Sequence, residues 1–273
     1  MFNFFKKKTK QPEEKVEVKK NSTNQTSSRS KEELAEVKGQ IGEHKIDIQL
    51  SQFPKEYKYF NDLMIKNPKS KTGFSQIDHV VITPYGIFVI ETKNYQGTIY
   101  GGKDRKTWLV NGKFKFMNPF YQNYGHVEAL KQLLDNKHEE SFISMVSFTK
   151  RCTFKIGVEL RKIQSNEIIV YDIELSDFIQ RKVNVQKMLY KEPLLSEADI
   201  HQIYQSIANA NVEDKTIREQ HNDSIKNATS KQKSKTATCV VCDKPVSDKV
   251  KTYCLSNKKF SGKVYCFEHQ KSV

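Results

Sequence analysis

The sequence predicts an α/β domain followed by a small cysteine-rich module, and three observations carry that expectation. Residues 74–97, FSQIDHVVITPYGIFVIETKNYQG, hold two apolar runs (77–82 and 87–90) around a Pro84-Tyr85-Gly86 turn, the pattern of a β-hairpin. Helix-start signals followed by helical periodicity stand on either side of it, at Ser30 and at Asn118-Pro119. Near the C-terminus, Cys239-Val-Val-Cys242 and Cys266-Phe-Glu-His269 sit at the spacing of metal knuckles.

The hairpin concentrates the chemistry. Each run carries an acid where a buried strand has no use for one: Asp78 in the first, Glu91 in the second, with Lys93 two residues on. Strand side chains alternate faces, so Val89, Glu91 and Lys93 share one face. A two-residue loop pairs Thr83 with Gly86, Ile82 with Ile87 and Val80 with Val89, and sets Asp78 opposite Glu91. Opposed residues have Cβ atoms roughly 4.5–5.5 Å apart, close enough for two carboxylates to share a divalent cation. A three-residue loop with a bulge at Gly86 is the alternative, and it would send the two acids to opposite faces. Like charges side by side in an apolar hairpin repel, so the first register makes sense only with a metal to neutralise them.

The other elements follow in order. Residues 1–29 are polar and Lys-rich and read as a disordered lead-in. Ser30-Lys31-Glu32-Glu33 has the form of a capping box, and Leu34, Val37 and Ile41 give the stripe of a helix that Gly39 and Gly42 weaken. Residues 57–65 read as a strand, 67–70 as a loop and 98–100 as a short strand. Trp108 and the Asn111-Gly112 turn point to a second hairpin. Asn118 caps the next helix with Pro119 at its first position, and Phe120, Val127, Leu130, Leu133 and Leu134 make its buried side. Gln122 and His126 are four apart and share a face that could meet the hairpin; a lone His there reads first as a structural hydrogen-bonder. Residues 142–148 and 167–171 read as strands, 175–181 and 196–210 as helices. Residues 213–238 read as a Lys-rich linker, helical in part or disordered. Cys152, alone after a strand, reads as a buried thiol without a chemical role.

Composition narrows the partners. The 273 residues carry a net charge of +14, unevenly spread. Residues 39–214 hold twenty-three basic and twenty-one acidic residues, whereas residues 215–273 hold thirteen and five. A basic tail favours polyanions through counterion release. No apolar run approaches the ~20 residues of a membrane span, and the Phe-rich start precedes its lysines, the reverse of a secretory signal. The expected location is cytoplasmic.

In the module at 239–273, Cys239, Cys242, Cys266 and His269 suit a tetrahedral structural Zn²⁺, with Cys254 as an alternative ligand. A segment this short needs such a staple to fold. Lys249, Lys251, Lys258, Lys259 and Lys263, interleaved with Tyr253, Phe260 and Tyr265, look like a small surface for DNA, or alternatively RNA.

The stretch QIDHVVITPYGIFVIETKNYQG closely resembles the core of the nuclease-related domain (NERD) family, a branch of the PD-(D/E)XK nuclease superfamily. Gly42-Glu43 upstream, and Gly101, Trp108, Asn118-Pro119, Gln122-Asn123 and His126 downstream, extend the resemblance over about residues 38–150. It implies a restriction-endonuclease-like core, a mixed central sheet flanked by helices, within residues 30–212. It also implies a deoxyribonuclease dependent on Mg²⁺ (or Mn²⁺). In that reading Asp78 and Glu91 hold the metal, the preceding helix supplies Glu43, Lys93 serves the attacking water and the phosphate, and Gln122 is their partner from the downstream helix. The alternative is a catalytically silent adaptor or regulatory protein on the same fold.

Overall fold

The computed structural model describes residues 41–42, 44–233 and 237–273. Of the helix expected from Ser30, the part before residue 41, and Glu43 with it, lies outside the described residues; residues 44–50 form helix α1.

The centre is a five-stranded mixed sheet in the order β1 (Lys58–Lys66), β2 (Phe74–Thr83), β3 (Gly86–Lys93), β7 (Phe142–Phe148), β9 (Glu167–Tyr171). The first three strands run antiparallel, and β7 and β9 continue parallel to β3. Parallel neighbours need a crossover, and α2 (Pro119–Leu133) lies within the one that joins β3 to β7. Strand β3 is covered on both sides, which explains its nearly unbroken apolar run. Ile87 and Val89 pack with Val127 and Leu130 of α2 and Ile200 and Ile203 of α4 (Glu197–Ala210). Phe88 and Ile90 pack with Ile46 and Leu50 of α1 and Ile179 and Val183 of α3 (Leu175–Leu189).

The β2–β3 hairpin has the two-residue loop, with Thr83 paired to Gly86, Ile82 to Ile87 and Val80 to Val89. Thr83 Oγ1 donates to the Gly86 carbonyl at 3.0 Å and accepts the Tyr85 N–H at 3.2 Å, which closes the turn. At position 86 a Cβ would come within 2.7 Å of Ile143 on β7, so the parallel strand closes on a bare backbone there.

A second, four-stranded mixed sheet in the order β6 (Phe114–Met117), β5 (Thr107–Val110), β4 (Gly97–Tyr100), β8 (Cys152–Lys155) extends the domain. Its core is Trp108, fully buried, stacked on Phe148 with ring planes 7° apart, and donating Nε1–H to the Gly102 carbonyl at 3.1 Å.

The polar stretch expected as a linker forms helix α5 (Lys215–Lys233). Its attachment to the domain is polar and so escapes a reading based on apolar periodicity. Arg218 pairs with the Asp62 carboxylate at 2.7 Å and donates to the Asp62 and Val212 carbonyls, while His221 meets Phe74 edge to face. The C-terminal module contains α6 (Asp248–Ser256) and a core of Cys239, Val246, Cys254, Phe260, Tyr265 and Cys266.

A Cβ at Gly101 would stand 2.2 Å from the Trp108 indole. Gly101→Ala should therefore overpack the second sheet and lower stability by about 2–3 kcal/mol, read as a lower urea midpoint at unchanged m-value. An unshifted midpoint would mean the β4–β5 connection yields freely.

Candidate active site

The β2–β3 ladder ends at His79 opposite Ile90. One step further Asp78 takes over from the backbone: its Oδ2 accepts the Thr92 N–H at 2.7 Å and the Thr92 hydroxyl at 2.6 Å. A side chain has replaced the next rung of the sheet, which fixes one carboxylate at the strand end beside Glu91.

Alternation then turns Glu91 and Lys93 toward α2. Asn123, fully buried on that helix, donates Nδ2–H to the Val89 carbonyl at 2.8 Å and to Ser144 Oγ at 2.7 Å, pinning α2 across β3 and β7. Its neighbour Gln122 donates to Glu91 Oε1 at 2.7 Å and accepts from Lys93 Nζ at 2.9 Å. Lys93 closes the ring by pairing with Glu91 Oε1. Glu91 is 3% exposed, and its second oxygen, Oε2, has no hydrogen-bond partner among the described residues. The nearest donor to it is His126 Nε2 at 3.4 Å, a long electrostatic contact rather than a made hydrogen bond. Both His126 ring nitrogens lack such a partner as well.

Charge follows from this packing. Burial alone would raise Glu91, but the Lys93 ammonium and His126 more than offset it and hold the carboxyl below its ordinary value. Asp78 goes the other way. Burial and then the repulsion of Glu91 push it up to about 7, against the Thr92 donors and Lys93. Burial disfavours the Lys93 ammonium, yet Glu91 and Asp78 outweigh it, so Lys93 sits above its usual value and stays protonated. A buried carboxylate oxygen left open, beside a second carboxyl that the first one repels, is a donor set with the chemistry of a cation site. It fits a hard divalent ion, and a third ligand from His126 would favour Mn²⁺ over Mg²⁺.

Two clefts meet at Asp78. One, of about 630 Å³, runs along α2 and is lined by Lys69, Gln122, Tyr124, His126 and, from α5, His221. The other, of about 360 Å³, opens on the α1 side past Gly42, Lys45, Glu91, Lys93 and Arg151. Lys45 and Arg151 are exposed cations at its rim. Sequence reading missed Arg151 because it reaches the site only through β7, whose end continues into the Thr149 N–H bond to the Lys93 carbonyl at 3.1 Å. Glu43, expected to complete the acids, lies outside the described residues.

In the C-terminal module, the ligand atoms of Cys239, Cys242, Cys266 and His269 all lie within 4.8 Å of one another. His269 Nδ1 is 3.5 Å from Cys239 Sγ and 3.3 Å from Cys266 Sγ, and Cys242 Sγ is 3.8 Å from Cys266 Sγ. Those are close to the roughly 3.5–3.8 Å edges of a tetrahedron around Zn²⁺ with sulfur near 2.3 Å and nitrogen near 2.0 Å. Burial works against the Cys239 thiolate, but N–H groups of Cys266, Val241 and Cys242 outweigh it and bring the thiol down to about 6. Cys254 lies apart, buried, with its Sγ accepting the Tyr265 N–H at 3.5 Å and Gln270 Nε2–H at 3.4 Å. Of the five lysines singled out there, Lys249, Lys258, Lys259 and Lys263 are exposed and Lys251 is half-buried. Two of the interleaved aromatics are not available for stacking. Phe260 and Tyr265 are buried in the module's small core, because a segment with so little apolar sequence must spend its aromatics on folding.

A divalent ion binds the carboxylate and not the acid, so if Asp78 is a ligand it must lose its proton on loading. With burial and Glu91 pushing its carboxyl up to about 7, Mn²⁺ affinity should rise between about pH 6 and pH 8, with about one proton released at the acidic end. Calorimetry in buffers of different ionisation enthalpy reads that proton. Asp78→Asn should bind more weakly and lose most of the pH dependence, and a flat wild-type profile would contradict the assignment.

Comparison with known proteins agrees with the geometry. Residues 38–149 match the nuclease-related domain (NERD) family. An uncharacterized protein of Bacillus anthracis is 32% identical over 207 residues, an alignment covering 74% of this chain and 90% of the relative. No solved structure matches. With the hairpin acids at the edge of a mixed sheet, the family match and a relative aligned over nine-tenths of its length, the chain belongs to the nuclease-related domain family, whose fold is that of the PD-(D/E)XK nucleases.

Proposed function

We propose that this chain is a metal-dependent nuclease that hydrolyses DNA phosphodiester bonds, with a zinc-stapled C-terminal module that adds affinity for the polyanion. The observation that carries the reading is the open oxygen of buried Glu91, next to Asp78 and Lys93 on the floor of the joined clefts. In hydrolysis a water attacks phosphorus, one P–O bond breaks, and the departing oxygen gains a proton. A bound Mg²⁺ or Mn²⁺ would supply Lewis acidity on the phosphate and lower the pKa of a water. Asp78 and Glu91 Oε2 would hold it, with His126 beside them and Glu43 as the further acid the family resemblance implies.

Glu91 and Asp78 favour the Lys93 ammonium, which suits it to position the attacking water and to offset the charge that builds on the phosphate. Gln122 keeps Lys93 and Glu91 in one ring and thereby orients both. Lys45 and Arg151 bind flanking phosphates at the rim. The rival reading, a catalytically silent DNA-associated adaptor, would have no use for a buried carboxylate and ammonium whose burial costs several kcal/mol.

The test is incubation of the full chain with plasmid and single-stranded DNA in Mg²⁺, Mn²⁺ or EDTA. Metal-dependent cutting is expected. Glu91→Gln and Lys93→Ala should each lower it by ~10²-fold or more while DNA binding survives. Activity within about twofold of wild type in both variants would remove these residues from the mechanism, and no cutting on any substrate would favour the adaptor.

Zinc is separable from catalysis. Protein purified under reducing conditions should carry one Zn²⁺ per chain, held by Cys239, Cys242, Cys266 and His269, with cutting still dependent on added Mg²⁺ or Mn²⁺. Elemental analysis should find the zinc retained in Cys254→Ser and lost in Cys239→Ser. Loss in Cys254→Ser would overturn the ligand set.

A further inference from the structure

In the C-terminal module Phe260 and Tyr265 are buried while Tyr253 and Phe267 face water, and the nuclease-like domain displays exposed rings of its own. Phe114, on the edge strand β6, is 60% exposed, an unusual position for a phenylalanine. It does not stand alone. Phe114 and Phe116 lie on one face of the strand, and both meet Tyr95, with ring centroids 6.2 and 4.7 Å away. Tyr95 is two residues beyond Lys93, and Lys93 and Glu91 act on its hydroxyl electrostatically. A row of rings therefore runs from the ETK strand end out to the tip of the β5–β6 hairpin. On α2, Tyr121 and Tyr124 are 45% and 64% exposed on either side of the Gln122–Asn123 pair, and Tyr124 lines the larger cleft together with Asp78.

The β5–β6 hairpin that carries Phe114 is basic. Residues 105–117 carry four cations, Arg105, Lys106, Lys113 and Lys115, and no acid. All four are exposed, and the two lysines are the chain neighbours of Phe114. The exposed rings of Phe114, Tyr121 and Tyr124, with partly buried Tyr95 and Phe116 leading toward the proposed phosphodiester-cleaving site and cations nearby, match the needs of unpaired nucleotides: π-faces for the bases and ammonium groups for the phosphates. A duplex offers the same phosphates but keeps its base faces inside the stack, so the rings would gain nothing from it.

We propose that the Phe114–Tyr95 ridge, with Tyr121 and Tyr124, is a stacking platform for single-stranded nucleic acid that feeds an unpaired strand to Asp78 and Glu91. This rests on the nuclease reading above and deepens it by naming the substrate form.

The experiment measures binding of fluorescein-labelled single-stranded and duplex DNA to the full chain by anisotropy, in EDTA so that nothing is cut. Wild type should prefer the single strand. Phe114→Ala, an exposed change that leaves the fold alone, should weaken single-strand binding by roughly fivefold or more and duplex binding by less than about twofold. Phe114→Trp should restore it, since an indole stacks at least as well. Single-strand affinity within twofold of wild type in Phe114→Ala would overturn the proposal and give the patch to a protein partner. Equal losses on both DNAs would also overturn it, because bases would not then be what is read. Cutting assays run in parallel keep the two readings apart. Normal cutting with unchanged Phe114→Ala binding sinks the platform alone, whereas Phe114-dependent binding without any cutting sinks the nuclease and leaves the platform standing.

Discussion

The arrangement depends on keeping the Glu91 carboxylate charged at 3% exposure inside an apolar sheet. Taking an isolated carboxylate out of water costs several kcal/mol, and the group protonates unless partners are brought to it. Here the partners come from two directions. Lys93 is local, two residues along the same strand. Gln122 and His126 come from α2, which is held across the sheet by the fully buried Asn123 amide bonded to the Val89 carbonyl. Lys93 and Gln122 crowd one oxygen of Glu91 and leave the other open. That asymmetry sets the chemistry, since a carboxylate satisfied on both sides would be a structural ion pair and nothing more.

Asp78 shows the same constraint from the other side. Its Thr92 donors favour the carboxylate, but burial and the neighbouring Glu91 win and lift it to about 7. A pair of acids driven apart in this way is poised for a cation, which removes the repulsion and the proton together. The cysteine module solves a different problem with different donors. Its core is six residues, two of them proposed zinc-ligand cysteines, so in the proposed reading the metal is part of the folding energy rather than of the reaction.

Some of this could be read before any fold was known. Side chains alternate strictly along a strand, and the Pro84-Tyr85-Gly86 turn left two registers open, of which the fold takes the two-residue loop that pairs Val80 with Val89. Asn118 and Pro119 start α2 for equally local reasons: the Asn118 side chain accepts the Phe120 N–H at 3.0 Å, and proline has no N–H to waste. Helix α5 was less legible. Its hold on the domain is an arginine fork and a histidine edge, and neither leaves a periodic apolar trace in the chain.

What the sequence determined by itself is the set of short-range facts: the hairpin and its turn, the face shared by Glu91 and Lys93, and the two ligand pairs at knuckle spacing. Tertiary structure decided everything that depends on which surfaces meet. It chose which oxygen of Glu91 stays open, brought Arg151 to the rim through β7, and set Cys254 apart from the cysteine–histidine cluster. It also decided which aromatics are spent on the core and which face water, burying Phe260 and Tyr265 while leaving Phe114 outside. The physical reason is range. Backbone stereochemistry and strand period act over a few residues and are written in order along the chain. Burial and electrostatic partnership are sums over neighbours that only the packed fold brings together.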